Sequence, residues 1–534
     1  MNKKLFKVSL LALGAVFMSA LNCASVINDT GDNGKYNGDV SGHTFLSVRP
    51  QFQSGMPEKE SLWRRRATPG PCGLGRDCGW GGAMQVVGFG GRTTKSARLG
   101  EFFMYGGSNQ LFVSSNQSVF PQINPIYFGI IPANGDVYSS TIQINPSQSD
   151  GAAGFEWRQY LGCLSECGNN WWFDVSFPVI QVSNRVTLTE LNRTFTGNFE
   201  VPGSATNMLQ ALSGDFNFAS IDGANTTFLY GLMPTGTNAT RRKTGVADVE
   251  LKIGYDALCT ECCFVNGYVG VLVPTGNRPQ AKYVFEPIVG HNHHVGVLFG
   301  SAMFYDVWTG CDRNLTWEIA FDSRYLFSGT ERRSFDLKYR PWSRYLLVYA
   351  NAADAASNTM SPGINYFTQD FKVTPRFYST MDTSLVYNSM CGLQAQVGWN
   401  FWARQAEELK LKNPFPTGVA VTSLTVDNLI EGVNVTNILS NIGNNVACTS
   451  VGAVNCLNNV QLTYPAGVIT AADIDYASAA NPAVISNIIY GTVGYDFDIC
   501  CYPTFAAIGG SYEFPAINTA LTRWKVWGKL GISF

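Results

Sequence analysis

The chain ends Trp524-Lys525-Val526-Trp527-Gly528-Lys529-Leu530-Gly531-Ile532-Ser533-Phe534. Even positions carry Trp, Val, Gly, Leu, Ile and Phe; odd positions carry Lys, Trp, Lys, Gly and Ser. A period of two with one apolar and one mostly polar face is a β-strand, here finishing on an aromatic. The same alternation recurs upstream. Val249, Leu251, Ile253 and Tyr255 alternate with Asp248, Glu250, Lys252 and Gly254. Leu315, Trp317, Ile319, Phe321, Tyr325 and Phe327 alternate with Thr316, Glu318, Asp322 and Arg324. Phe335, Leu337 and Tyr339 alternate with Asp336, Lys338 and Arg340, and Leu393 to Phe401 repeats the pattern with Gln394, Gln396 and Asn400. Further candidate strands cover 80–90, 97–106, 152–160, 171–188, 264–273, 295–306, 368–388, 488–498 and 504–514.

The other end reads as an export signal. Lys3, Lys4 and Lys7 precede a short apolar run, Leu10 to Leu21, followed by the small residues Ala24 and Ser25. The run is too short for a membrane span and lies at the N-terminus, as in a cleaved signal peptide over 1–24. Cys23 raises a lipid-attachment site, but Asn22 stands where a small residue is wanted.

Charged residues are 14% of the chain, against ~25% in an ordinary soluble protein. No later stretch has the ~20 uninterrupted apolar residues of a membrane helix. A membrane form must then be a closed barrel, because only helices and barrels satisfy every backbone polar group in lipid. A soluble sandwich turns the apolar faces inward, whereas a membrane barrel turns them to lipid. Strands of about ten residues, aromatics near their ends and charges of both signs midway along the polar face favour the second. A Lys or Arg facing lipid costs ~2–4 kcal/mol at the midplane, and the pattern avoids it. The net charge of −2 gives no reason to expect nucleic acid.

The block Gly245 to Tyr255, followed by Gly270-Val-Leu-Val-Pro274-Thr275-Gly276 and echoed by Gly231-Leu-Met-Pro234-Thr235-Gly236, resembles a hairpin of outer-membrane transporters for fatty acids and aromatic hydrocarbons. The terminal strand resembles the closing strand of Gram-negative outer-membrane barrels. The cysteine usage is similar to that of major outer-membrane porins of intracellular bacteria. These resemblances imply an all-β, up-and-down transmembrane antiparallel barrel of about 14 strands, within 12–16, in the outer membrane. Residues 25–78 form a periplasmic or plug segment, and 79–534 form the barrel with long outer loops at 107–151, 189–244 and 403–487. Arg404 to Lys410 is read as one or two helical turns.

Counting strands back from an inward-running last strand puts Cys163, Cys167, Cys259, Cys262, Cys263, Cys311, Cys391, Cys500 and Cys501 at the periplasmic end. The count works only with one extra reversal within 334–388, at Pro341-Trp342 or Met381-Asp382.

In an oxidising compartment the cysteines read as disulfides, with Cys72, Cys78, Cys163, Cys167, Cys448 and Cys456 as candidates. A metal site at Cys259-Thr-Glu-Cys262-Cys263 lacks a second pair at ligand spacing. His291-Asn292-His293-His294 reads as a polar loop before a strand, and neither a metal nor another cofactor is expected. No nucleophile elbow, His-Glu-x-x-His or phosphate loop is present, so no enzymatic activity is expected. Arg64-Arg65-Arg66 reads as a solvated basic run.

The resulting expectation is an outer-membrane porin passing small solutes. Its polar lumen is lined by Asp248, Glu250, Lys252, Glu318, Asp322, Arg324, Asp336, Lys338 and Arg340, with Lys525 and Lys529 on the same polar faces. Mixed signs predict weak ion selectivity. The alternatives are a hydrophobic-substrate transporter with a blocked lumen, and a structural or adhesive surface barrel. Trp524, Val526, Leu530, Ile532 and Phe534 form the expected assembly signal. The expected partners are outer-membrane lipid and lipopolysaccharide, the barrel assembly machinery, small solutes and further copies of the chain.

Overall fold

The computed structural model describes residues 42–534 apart from 69–80, 105–107, 116–121, 124, 131, 134–135, 162–169, 198–204, 215–216, 220–224, 261–262, 311–312, 339–341, 352, 355–360, 390, 422–467, 500–501 and 518–520. Twelve strands close into an antiparallel barrel. They are β1 (Gly82–Thr93), β2 (Val137–Tyr160), β3 (Asn170–Thr196), β4 (Val249–Cys259), β5 (Cys263–Val273) and β6 (Gly296–Thr309). The second half comprises β7 (Arg313–Leu326), β8 (Arg376–Ser389), β9 (Leu393–Arg404), β10 (Val484–Ile499), β11 (Tyr502–Ile517) and β12 (Arg523–Ser533). Neighbours in the chain are neighbours in the wall. β12 returns to β1 in register from Ala83↔Ser533 to Thr93↔Arg523, so the wall has no free edge. The last residue seals the seam: the Phe534 amide donates to Gly82 O at 2.8 Å, and the Gly82 amide donates to Phe534 O at 2.7 Å. Twelve is the lower bound of the expected range.

Alternation decides which side of the wall each residue takes. Val526, Leu530, Ile508, Val397 and Val269 point outward, each more than half exposed, while their strand neighbours Lys525, Lys529, Ala507 and Gln396 are buried inside. Exposed aromatics mark both rims, with Trp171, Trp308 and Tyr502 at one end and Phe327, Tyr512 and Trp524 at the other.

The two ends differ. At one end the strands are joined by short turns, and Cys259, Cys263 and Cys391 lie there. The six candidate half-cystines, Cys72, Cys78, Cys163, Cys167, Cys448 and Cys456, lie outside the described residues. At the other end long connections fold into a cap with its own apolar core. Phe102, Phe103 and Phe128 enter it between β1 and β2, Met208 and Phe228 between β3 and β4, Phe335, Trp342 and Phe367 between β7 and β8, and Phe415 and Ile469 between β9 and β10. β2 and β3, at 24 and 27 residues, far exceed the ~9–11 a membrane-spanning strand needs. Their surplus reaches the cap, where Tyr138, Ile142, Ile144, Val186 and Leu188 join the core.

Several local expectations change. The chain is already strand at Val137, inside the segment read as loop 107–151, and β3 runs to Thr196. Residues 97–106 read as a strand, but Ser96–Phe103 is a helix whose Leu99, Phe102 and Phe103 face the cap core at helical spacing. Glu408–Leu411 is a short cap strand paired with Phe371–Thr374, not a helical turn. No extra reversal is needed between β7 and β8, because Asp336–Leu337 pairs with Ile474–Asp475 in the cap and Met381 and Asp382 lie inside β8. The Phe335–Leu337 alternation serves the cap core instead.

Candidate functional site

The lumen is filled by the chain itself. Residues 42–68 enter at the cap, where the His43 amide donates to Phe102 O and the Thr44 amide to Ser478 O. They descend to the short-turn end, where Arg66 pairs with Asp496 and Tyr160 Oη donates to Ala67 O at 3.3 Å. Almost every residue of the segment is buried. Left-handed backbone at Phe52, Gly55 and Leu62 bends it into two short helical turns, α1 (Pro57–Glu60) and α2 (Trp63–Arg66). Pro57 opens α1 at the position where its missing N–H costs nothing. Wall lysine Lys529 donates to buried carbonyls at the C-terminal end of α1, Lys59 O at 2.9 Å and Ser61 O at 2.7 Å.

The two turns aim charges at different walls. Glu58 meets Lys525 of β12 at 2.6 Å. Lys59 turns the opposite way, 2.8 Å from Glu250 of β4 and 3.7 Å from Glu156 of β2, and its ammonium donates to Ser176 Oγ at 2.6 Å. Arg64 reaches β7 and β8, with Asp382 at 3.1 Å and Asp322 at 3.4 Å, and Glu60 holds its Nε at 3.3 Å. Arg65 meets Asp306 at 3.4 Å and Arg49 meets Glu513 at 3.9 Å. Each lysine and arginine between 42 and 68 therefore faces a wall carboxylate. Wall pairs extend the network: Arg324 lies 3.1 Å from Glu250 and Lys252 lies 3.1 Å from Asp174. Burial of so many ions is tolerable only because they are paired and hydrogen-bonded.

Of the residues named from sequence, Glu250, Lys252, Glu318, Asp322, Arg324, Lys525 and Lys529 point inward and are buried. Asp248 sits at the upper rim with φ of 44°, and its Oδ2 accepts from the His291 amide at 2.6 Å and lies 2.7 Å from His291 Nδ1. Asp336 and Lys338 do not reach the lumen: Asp336 accepts from the Arg344 amide in the cap, and Lys338 is exposed on a turn. Arg340 lies outside the described residues. The basic run Arg64 to Arg66 is not solvated, since all three side chains are mostly buried in ion pairs. Apart from Glu60, the acids it meets lie hundreds of residues away in sequence. Lys59, Glu156, Asp174 and Glu513 are not singled out from sequence, and Asp382 is named there only as a possible reversal; alternation along β2, β3, β8 and β11 marks the four acids as inward, and no such pattern marks Lys59. His291 and His294 face Asp248 and Glu331, and among the described residues no cluster has the makings of a metal site.

A closed wall with an apolar outer belt, aromatic rims, a charged interior, short turns at one end and long loops at the other is the architecture that lipid imposes on a spanning β-protein. This is an outer-membrane β-barrel. No family model matches the chain, and no curated protein matches it. Among solved structures, 130 chains match. An outer-membrane channel from Pseudomonas putida F1 is similar at 9% identity, over 88% of this chain and 99% of that one, with a TM-score of 0.37. A Pseudomonas aeruginosa FadL homologue is similar at 8% identity, over 85% of this chain and 90% of that one, at 0.27. The NanC porin is similar at 8% identity, over 72% and 93%, at 0.24. At these scores nothing about solute carries over.

Proposed function

We propose that this barrel is an outer-membrane transporter for small polar solutes, closed at rest by residues 42–68. The observation that carries the reading is the run of ion pairs from Arg49 to Arg66, which ties the buried segment to opposite walls of the lumen. A permanently open porin has no use for such a segment. The inner wall carries apolar patches such as Val87, Phe89, Ile180 and Trp527, but buried carboxylates, lysines and arginines stand beside them, and these favour a polar solute over a hydrophobic one. A polar path through a barrel closed by a displaceable, charge-paired segment fits both features. Solute then moves when the segment yields, while the wall stays closed to lipid.

Ser61 Oγ and Thr492 Oγ1, on the segment and on β10, lie 3.1 Å apart. A Ser61→Cys/Thr492→Cys variant places two thiols across that contact. Oxidised protein in liposomes is expected to lose flux of small sugars and amino acids. Reduction restores flux, while the same reductant leaves the parent chain unchanged. Equal flux with the crosslink verified in place sinks the proposal.

A further inference from the structure

Arg64 sits between two carboxylates of the barrel wall, with Glu60 of its own segment 3.3 Å from its Nε. Its Nη1 lies 3.1 Å from Asp382 Oδ1 and its Nη2 3.4 Å from Asp322 Oδ2. Both carboxylates are held in place by the wall. Tyr268 Oη donates to Asp322, Tyr490 Oη donates to Asp382 Oδ1 at 3.0 Å, and Asn400 Nδ2 donates to Asp382 Oδ2 at 3.0 Å. A third acid, Glu318, is 1% exposed; its Oε2 accepts from Gln396 Nε2 at 3.2 Å, and its Oε1 has no hydrogen-bond partner among the described residues. The same Gln396 amide reaches Tyr490 Oη at 3.4 Å, which places Glu318 beside the Asp382 group. Two wall carboxylates and Glu60 thus hold one resident guanidinium, and a third wall acid, Glu318, stands beside them with one acceptor left over.

Such a site is costly when empty, because removing the cation strands buried negative charge. Two wall carboxylates receiving separate nitrogens of one planar fork match a guanidinium better than an ammonium. We infer that this pocket is a guanidinium-binding site of the transport path, and that Arg64 occupies it at rest as a built-in stand-in for a cationic solute. The inference rests on the transporter reading and adds its solute class. It also changes the expected selectivity. The cations paired with Asp306, Asp322 and Asp382 belong to the segment, so displacing it leaves those three wall carboxylates without their partners and shifts the surface toward negative charge.

The test uses the full chain with Arg64→Ala, in detergent, and methylguanidinium as the probe. Millimolar methylguanidinium is expected to raise the thermal midpoint of the variant and to leave the parent, whose pocket is filled, unmoved. Methylammonium should bind roughly tenfold more weakly, about 1.4 kcal/mol. Urea, neutral and of similar shape, should give no shift. Adding Asp382→Asn should abolish the effect. Equal stabilisation by urea, an equal shift in the parent chain, or persistence in the Asp382→Asn background overturns the inference. Where the alanine variant fails to assemble, Arg64→Gln keeps the stem and takes the same measurements. The readout is binding and does not depend on transport. A site that binds methylguanidinium in a barrel that never passes solute would overturn the transporter reading and leave the site standing.

Discussion

Lys59 Nζ lies 2.8 Å from Glu250 Oε2, and both side chains are buried inside the barrel, one on the filling segment and one on the wall. Around this contact Ser54 Oγ donates to Glu250 Oε2 at 2.6 Å and Arg324 Nη1 donates to Glu250 Oε1 at 3.1 Å. Glu250 thus gathers two cations and a hydroxyl, and the segment's position depends on it.

Lys59→Met is expected to destabilise the folded barrel by about 3–5 kcal/mol, the usual cost of breaking a buried pair from one side. The urea midpoint of protein folded into vesicles checks this. Lys59→Met/Glu250→Gln should recover part of the loss, giving a coupling energy well beyond that of distant sites. The single variant should also pass more potassium current than the parent. Additive losses with no change in current would mean that the contact does not hold the segment.

Steric fit gives a charge-free route to the same displacement. A Cβ on Gly154 of β2 would lie 2.4 Å from the Phe52 ring, which stacks on Phe89 at 5.9 Å between centroids. Gly154→Leu should push Phe52 out and raise conductance with every ion pair still encoded. At Gly151, on the outer face of the same strand, an added Cβ would meet no other atom within 4 Å. Gly151→Ala should leave conductance unchanged and slightly raise stability, since a strand glycine carries excess unfolded-state entropy.

How far the sequence reveals this arrangement differs along the chain. β12 is readable because its two faces differ along most of its length, and Lys525 and Lys529 fall inside while Val526 and Leu530 fall outside. The stretch Phe335-Asp336-Leu337 alternates as cleanly, yet its apolar side packs into the cap core with Phe371 and Phe415. Alternation records that one face is buried, not what buries it. The filling segment is the least readable part. Arg64 gains meaning only beside Asp322 and Asp382, and no local pattern announces partners so remote in sequence.

The outer face makes an independent prediction. Ile508 of β11 is 72% exposed and lies in register with Gly528 and Val493, well inside the strand. Ile508→Lys should cost ~2–4 kcal/mol of stability in lipid, and Ile508→Leu close to nothing. Deleting Phe534 removes the paired hydrogen bonds to Gly82 that seal β12 against β1. The truncated chain should accumulate unassembled, measured as loss of heat-modifiable mobility on gels. Normal assembly would remove Phe534 from the proposed assembly signal.

His294 supplies a pH dependence in the cap, outside the spanning strands. Its Nδ1 lies 2.8 Å from Phe327 O and its Nε2 2.6 Å from Glu331 Oε1, so both ring nitrogens face acceptors and the imidazolium satisfies both. Burial works against the charge, but the Glu331 carboxylate outweighs it and holds His294 above its ordinary 6.5. Burial likewise disfavours ionised Glu331, yet Arg333 and His294 hold it below its ordinary 4.5. The signs define a window. The His294 contribution is complete below 6.5 and is lost as pH rises through its raised value. The Glu331 contribution is complete above 4.5 and is lost as pH falls through its lowered value. The cap should therefore be tightest between those limits and loosen on the alkaline side. Amide exchange across 329–337 and 405–411, corrected for the intrinsic pH effect, should show greater protection at pH 6 than at pH 9. His294→Gln should flatten that difference, and an unchanged difference in the variant would assign the pH dependence to another group.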